Sequence, residues 1–161
     1  MKSEDPDKHL AAALGKVPSG IFVLTLTKEK VETGLLASWV QQCSFQPPRV
    51  SIAIKPGRAI ADLLTPGTPF ALNVLEDSQT DMVAHFGKGF APGENAFAGL
   101  DVERDGHGGP ILSEALAVLH CEMTERFAAG DHDLFIGQVV GGKMLDEGHP
   151  MVHIRKNGFH Y

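Results

Sequence analysis

The sequence holds little of what many specialised proteins depend on. Only two of its 161 residues are cysteine, Cys43 and Cys121. They lie far apart and form neither a C-x-x-C pair nor a disulfide framework. That usage points to a reducing, cytoplasmic compartment, with one bridge between them left open. No apolar run approaches the roughly 20 residues of a membrane-spanning helix. The opening MKSEDPDKHL is acidic where a signal peptide needs a basic start and an apolar centre. Positive charge is also short: 14 Lys and Arg against 20 Asp and Glu give a formal net charge of −6. This argues against a nucleic-acid or anionic-membrane surface, though one local cationic pocket remains compatible. A nucleophile elbow, a P-loop and a G-x-G-x-x-G fingerprint are missing, which disfavours a Rossmann-type nucleotide domain. His149 and His153 have i, i+4 spacing, but Pro150 between them breaks the helix that zinc ligands would share, so no metal site is expected.

What is present is turn chemistry. Eighteen Gly and ten Pro, with 43% hydrophobic and 21% charged residues, describe one globular domain rich in strands and poor in long helices. Residues up to about 8 read as a flexible leader, and the Met start suggests a stand-alone protein. A short helix is expected over 9–16, ending near Gly15. Strands are expected over 21–27, 34–40, 50–55 and 70–75, the first two forming a hairpin across the charged turn 28–33. Arg58–Leu64 reads as a short helix, and a second helix starts from an Asp77 or Ser78 cap and runs to Gly87. The Gly- and Pro-rich stretch 88–109 reads as a long loop with one weak strand near 101–104. Ala117–Thr124 alternates as a half-buried antiparallel strand, and 134–144 follows as another, with a bend at Gly137. Segments 151–155 and 159–161 flank Asn157-Gly158 as a tight reversal. The class is mainly β: a closed or split barrel of one domain with a few short helices.

Three places hold candidate chemistry. The stretch GLLASWVQQCSFQPPRVSIAI reads as strand, irregular loop, Pro-Pro stop and strand. Its small residues Ala37, Ser38, Cys43 and Ser44 let backbone amides approach a flat ligand, with Trp39 or Phe45 to cover apolar parts. Equally, it reads as a plain strand–loop–strand with Trp39 in the core. Lys55 and Arg58 then carry two cations to a helix start, where a phosphate would be welcome; a solvated surface arginine is the plainer alternative. Gly130-Asp131-His132 places a histidine in a turn beside acids, either over a ligand or simply solvated.

Together these stretches resemble the flavin reductase-like, FMN-binding split-barrel family. The resemblance rests on VPSGIFVLT, the central stretch, PFALNVL, HF, FAG, GPIL, GDH and the final HPMVHIRKNGFHY, and so covers nearly the whole chain. It is especially close to the flavin reductase module of cyanobacterial flavodiiron proteins. The resemblance implies a Greek-key split barrel, a homodimer, and FMN near the subunit interface. By the same analogy Leu36, Ala37, Ser38, Trp39, Val40, Cys43, Ser44 and Phe45 contact the flavin. Lys55 and Arg58 lie near its phosphate, and Asn73 and Asp131 complete the cofactor-binding set. His132 is the candidate catalytic residue on the nicotinamide side. Two departures stand out, a thiol at Cys43 and a bulky ring at Trp39. The implied reaction moves a hydride from NADH or NADPH to flavin, then electrons to free flavin or a redox partner. Two other readings are an FMN electron carrier reduced by a partner protein and a flavin-binding module without redox activity.

Overall fold

Residues 5–161 are described by the structure, a computed structural model. Helix α1 (Pro6–Gly15) opens the described chain. Eleven strands follow: β1 (Ser19–Gly20), β2 (Phe22–Lys28), β3 (Val31–Ala37), β4 (Val40–Phe45), β5 (Pro48–Ile54), β6 (Pro69–Val74), β7 (Val102–Glu103), β8 (Ile111–Leu112), β9 (Ala117–Ala128), β10 (Asp133–Met144) and β11 (Val152–His153). Helix α2 (Ala59–Leu63) lies between β5 and β6, and α3 (Thr80–Gly87) follows β6.

Seven strands form one antiparallel sheet in the order β3-β2-β6-β9-β10-β5-β4. Its two edge strands, β3 and β4, are consecutive in sequence and joined only by Ser38 and Trp39. A link that short requires the sheet to curl until its edges meet, which makes the Greek-key split barrel. The β2–β3 hairpin closes on Glu29 and Lys30, with φ of 51° and 66°, the left-handed pair that a tight hairpin turn needs. In β10 the ladder to β9 shifts between Ile136 and Gly137. There a Cβ on Gly137 would stand 2.6 Å from the Phe70 ring, so the bend expected at this glycine is also a packing requirement.

Leu24, Leu26, Ile52, Phe70, Leu72, Met123 and Phe135 fill the barrel interior. A second cluster, built on Val23, Leu75, Phe86 and Phe97, lies beneath α3 and the long loop. Asn73 joins loop to barrel at the centre of β6. Its Nδ2 donates to the Val23 carbonyl (3.1 Å) and its Oδ1 accepts from the Leu112 amide (2.9 Å). Beside it the Thr25 hydroxyl donates to the Pro110 carbonyl (2.7 Å). Lys28 closes the far end of α2, donating to the Leu63 carbonyl (3.0 Å) and the Thr65 and Thr68 hydroxyls (2.6 and 3.2 Å).

Five local expectations change. Residues 5–8, expected as part of a flexible leader, are the cap and first residues of α1, with Asp5 accepting from the Asp7 amide; residues 1–4 of that expectation lie outside the described residues. Val40–Phe45 is a strand and not an irregular loop. It is the sheet's outer edge, exposed along most of its length, so its Gln and Ser residues need no apolar alternation. Helix α2 starts at Ala59, with Arg58 in the capping position but no side-chain cap bond. Gln79 precedes α3 in place of Asp77 or Ser78, its side chain accepting from the Glu76 amide. The tail makes no hairpin: β11 pairs with β1, and the Asn157 side chain accepts from the Phe159 amide (2.7 Å).

Candidate functional site

Four chain segments meet at one end of the barrel. The β5–β10 register sets Asp133 opposite Ile54, so Asp131 and His132, just before β10, fall beside Lys55, just after β5. The Ala53 amide donates to the Trp39 carbonyl (3.0 Å), which extends the β4–β5 ladder back to the short edge-to-edge link. The tail arrives from the other side. After β11 it runs along α1, held by Arg155 N–H to the Gly15 carbonyl (3.1 Å) and Gly158 N–H to the Ala11 carbonyl (2.7 Å).

Trp39 is the hub of this meeting point. Its ring lies 4.8 Å from that of His132 and 5.4 Å from that of Tyr161, with the Arg155 guanidinium 5.2 Å from its centroid. His132 Nδ1 stands 2.8 Å from Asp131 Oδ1, and Nε2 stands 3.0 Å from the Tyr161 hydroxyl. The bond to His132 is the main cause that holds the Asp131 carboxyl below its ordinary range, with Lys55 adding to it. An ionised carboxylate only accepts, so Nδ1 carries the proton and donates. In the neutral imidazole Nε2 is then an acceptor, and Tyr161 is its donor. Shielding of the Tyr161 hydroxyl pushes its pKa up, against the pull of Arg155 and Arg58, so the phenol keeps its proton. The His132 side chain is 12% exposed, whereas that of Asp131 is 87% exposed.

Next to Trp39 opens a cleft of about 560 Å³. Ser38, Trp39, Val40 and Gln41 form one wall, Ser51, Ala53 and Leu134 the floor, and Pro18–Gly20 with Val152 the far side. Ser19 and Ser38 make no side-chain hydrogen bond among the described residues, so their hydroxyls are available to a ligand. Arg58 makes no ion pair among the described residues, and its Nη1 lies 3.1 Å from where a Cβ on Gly89 would stand.

A family model for the flavin reductase like domain matches residues 14–160. The chain belongs to the flavin reductase-like domain family. Diflavin flavoprotein A 1 of Synechocystis sp. (strain ATCC 27184 / PCC 6803 / Kazusa) is 40% identical over 163 residues, taking in 100% of this chain and 28% of that protein. The chain thus spans little more than a quarter of the length of the curated relatives it matches. Among solved structures, the NADH:FAD oxidoreductase SgcE6 of Streptomyces globisporus C-1027 has a TM-score of 0.83 at 27% identity, over 96% of this chain and 93% of that one. The same protein in complex with NAD and FAD fragments gives 0.80 at 26% identity, over 96% and 93%. Flavin reductase PheA2 gives 0.77 at 26% identity, over 93% and 94%.

Within this flavin reductase-like domain the sequence-selected residues divide. Trp39, Asp131 and His132 are in contact, and Lys55 and Arg58 act on the same cluster through their charge. Ser38 and Val40 line the cleft. Ala37 is buried in the barrel interior, and Leu36 turns toward the second core beneath α3. Cys43, Ser44 and Phe45 border a separate groove of about 370 Å³ along the outer hairpin, where Phe45 is 90% exposed. Asn73 is a correction: it is wholly buried and its amide is spent on Val23 and Leu112, so its side chain is not a cofactor contact. The thiols differ as well. Cys43 is exposed, and burial pushes the pKa of Cys121 up to about 12, which keeps it an inert core group. Sequence reasoning missed Tyr161, Arg155, Leu134 and Val152. The only signal was an aromatic, basic tail whose place depends on the distant β1–β11 pairing. Among the described residues no helix is long and apolar enough to cross a membrane.

Proposed function

We propose that the protein is an NAD(P)H-dependent flavin reductase-type oxidoreductase. It holds FMN beside the Ser38–Trp39 link and passes electrons on to free flavin or a redox partner. One observation carries the reading: the cleft opens beside Trp39, whose ring lies against the shielded His132 where the two edges of the barrel meet. Arg58, with no ion pair among the described residues, acts on the same cluster through its charge. The residues present fit a flavin. The cleft volume lies within the roughly 300–1,000 Å³ of small-molecule sites. Apart from Gln41 its lining side chains are small or apolar, as a flat ring needs, and the hydroxyls of Ser19 and Ser38, without a partner among the described residues, suit ring carbonyls and nitrogens. FMN is favoured over a larger flavin because Lys55 and Arg58 sit on one turn, closed by Arg58 N–H to the Lys55 carbonyl at 3.4 Å, and offer two cations that suit a single phosphate.

A bound flavin supplies the hydride-accepting chemistry, with nicotinamide as donor. The chain's own groups bind and orient. Arg58 and Lys55 hold the phosphate by charge-assisted hydrogen bonds. Trp39 limits the space at the edge of the cleft. Asp131 fixes the His132 tautomer, leaving Nε2 as an acceptor toward the nicotinamide. A homodimer belongs to the same proposal, since Phe45, Val140 and Met144 are exposed apolar side chains that a partner copy would cover.

The test is anaerobic mixing of FMN-loaded protein with NADH and, separately, NADPH. Loss of the visible flavin absorbance with at least one nucleotide is the expected result. Flavin that stays oxidised with both, yet is reduced by dithionite, would leave a carrier fed by another protein.

A further inference from the structure

We propose that Tyr161 is an affinity-determining residue of the reductant site, its hydroxyl holding the place on His132 that the nicotinamide carboxamide takes. The inference rests on the reading above and deepens it. His132 has one acceptor to offer, because its other nitrogen is committed to Asp131 at 2.8 Å. Tyr161 fills that acceptor at 3.0 Å. A carboxamide N–H offers the same kind of donor as a phenol O–H, so the two compete for one lone pair. The Tyr161 ring also lies 5.4 Å from that of Trp39, covering a second surface that a nicotinamide ring would use.

The tyrosine is placed to yield. The tail is fixed as far as Gly158 by its bond to the Ala11 carbonyl, and Phe159 is held by the Asn157 side chain. Beyond Phe159 no backbone hydrogen bond is made among the described residues, and Tyr161 is 74% exposed. One hydroxyl bond and two ring contacts, to Trp39 at 5.4 Å and to His132 at 6.3 Å, keep it over His132. Swinging it aside therefore costs about one hydrogen bond and these two exposed ring contacts, while His132 and Trp39 stay anchored in the barrel.

The experiment compares the FMN-loaded protein with Tyr161→Phe and Tyr161→Ala. Binding of NAD+ and NADP+ is measured by calorimetry, and steady-state kinetics are measured with NADH and NADPH. Removing a competitor worth one net hydrogen bond should tighten nucleotide binding about 3- to 10-fold. KM should fall in parallel, with kcat and the FMN dissociation constant changing less than about twofold on the same arithmetic. A nucleotide that binds only to Tyr161→Ala would also support this role for Tyr161. Unchanged or weaker nucleotide binding in both variants, alongside flavin that NADH still reduces, would overturn the role of Tyr161 and leave the reductase reading intact. Flavin that no nucleotide reduces, with no nucleotide bound by any of the three proteins, would overturn both.

Discussion

Replacing Asn73 with leucine is expected to lower stability by about 3 kcal/mol, which in a domain of this size is roughly 6–12 °C in thermal midpoint. Leucine has nearly the same shape, so the loss comes from hydrogen bonding and not from a cavity. The Leu112 amide is partnered by this one side chain in a fully buried site, and the Val23 carbonyl, which the β2–β6 pairing already turns toward β6, accepts from it as well. Without Asn73 the amide is left unsatisfied away from water, at a cost of about 1–3 kcal/mol, and the lost bond to Val23 adds about 1 kcal/mol. The long loop that carries Pro110 and Leu112 would also lose one of its buried ties to the sheet, Thr25 to Pro110 being another, while the exposed Arg104–Glu32 pair remains. Urea titration should move the midpoint with an unchanged slope. The folded variant should bind FMN as before. Weakened flavin binding at normal stability would restore Asn73 to the cofactor set.

The double substitution Lys55→Ala, Arg58→Ala should have the opposite pattern, with little loss of stability and roughly 100-fold weaker FMN binding. Both side chains are exposed and neither takes part in the core. Charge-assisted hydrogen bonds to a phosphate are worth about 1.5–3 kcal/mol each, and about 1.4 kcal/mol is tenfold in affinity. Two of them, discounted for solvent screening at an exposed site, give the estimate. Riboflavin, which lacks the phosphate, should bind the unsubstituted and substituted proteins alike. Equal losses for riboflavin and FMN would mean that the cations shape the site and do not hold the phosphate.

Much of the barrel was legible because alternation and turn chemistry are local. The β2–β3 hairpin follows from two alternating runs around a charged turn, and β10 with its bend from Gly137. Strand β4 was obscured by its own position. An edge strand facing solvent on most of its length carries Gln41, Gln42 and Ser44 without penalty, and that composition reads as loop. Asn73 misled for a related reason: a polar residue within an apolar strand signals a ligand or a buried junction equally well, and only burial separates the two. The contact between Tyr161 and His132 was out of reach, because two-residue strands at distant positions and the Gly158–Ala11 bond decide where the tail lies. The pairing of Lys55 with the Asp131–His132 turn, in contrast, needed only the register of two strands that the sequence already marked.

Trp39 makes the central claim measurable without any substitution, because it is the single tryptophan and it borders the cleft. Titrating FMN into the purified protein while following its emission should give deep, saturable quenching at one flavin per chain, matched by a shifted and structured visible flavin band in the bound fraction. Tryptophan emission that stays constant as FMN passes into large excess, with all the flavin recovered free on gel filtration, would contradict the account.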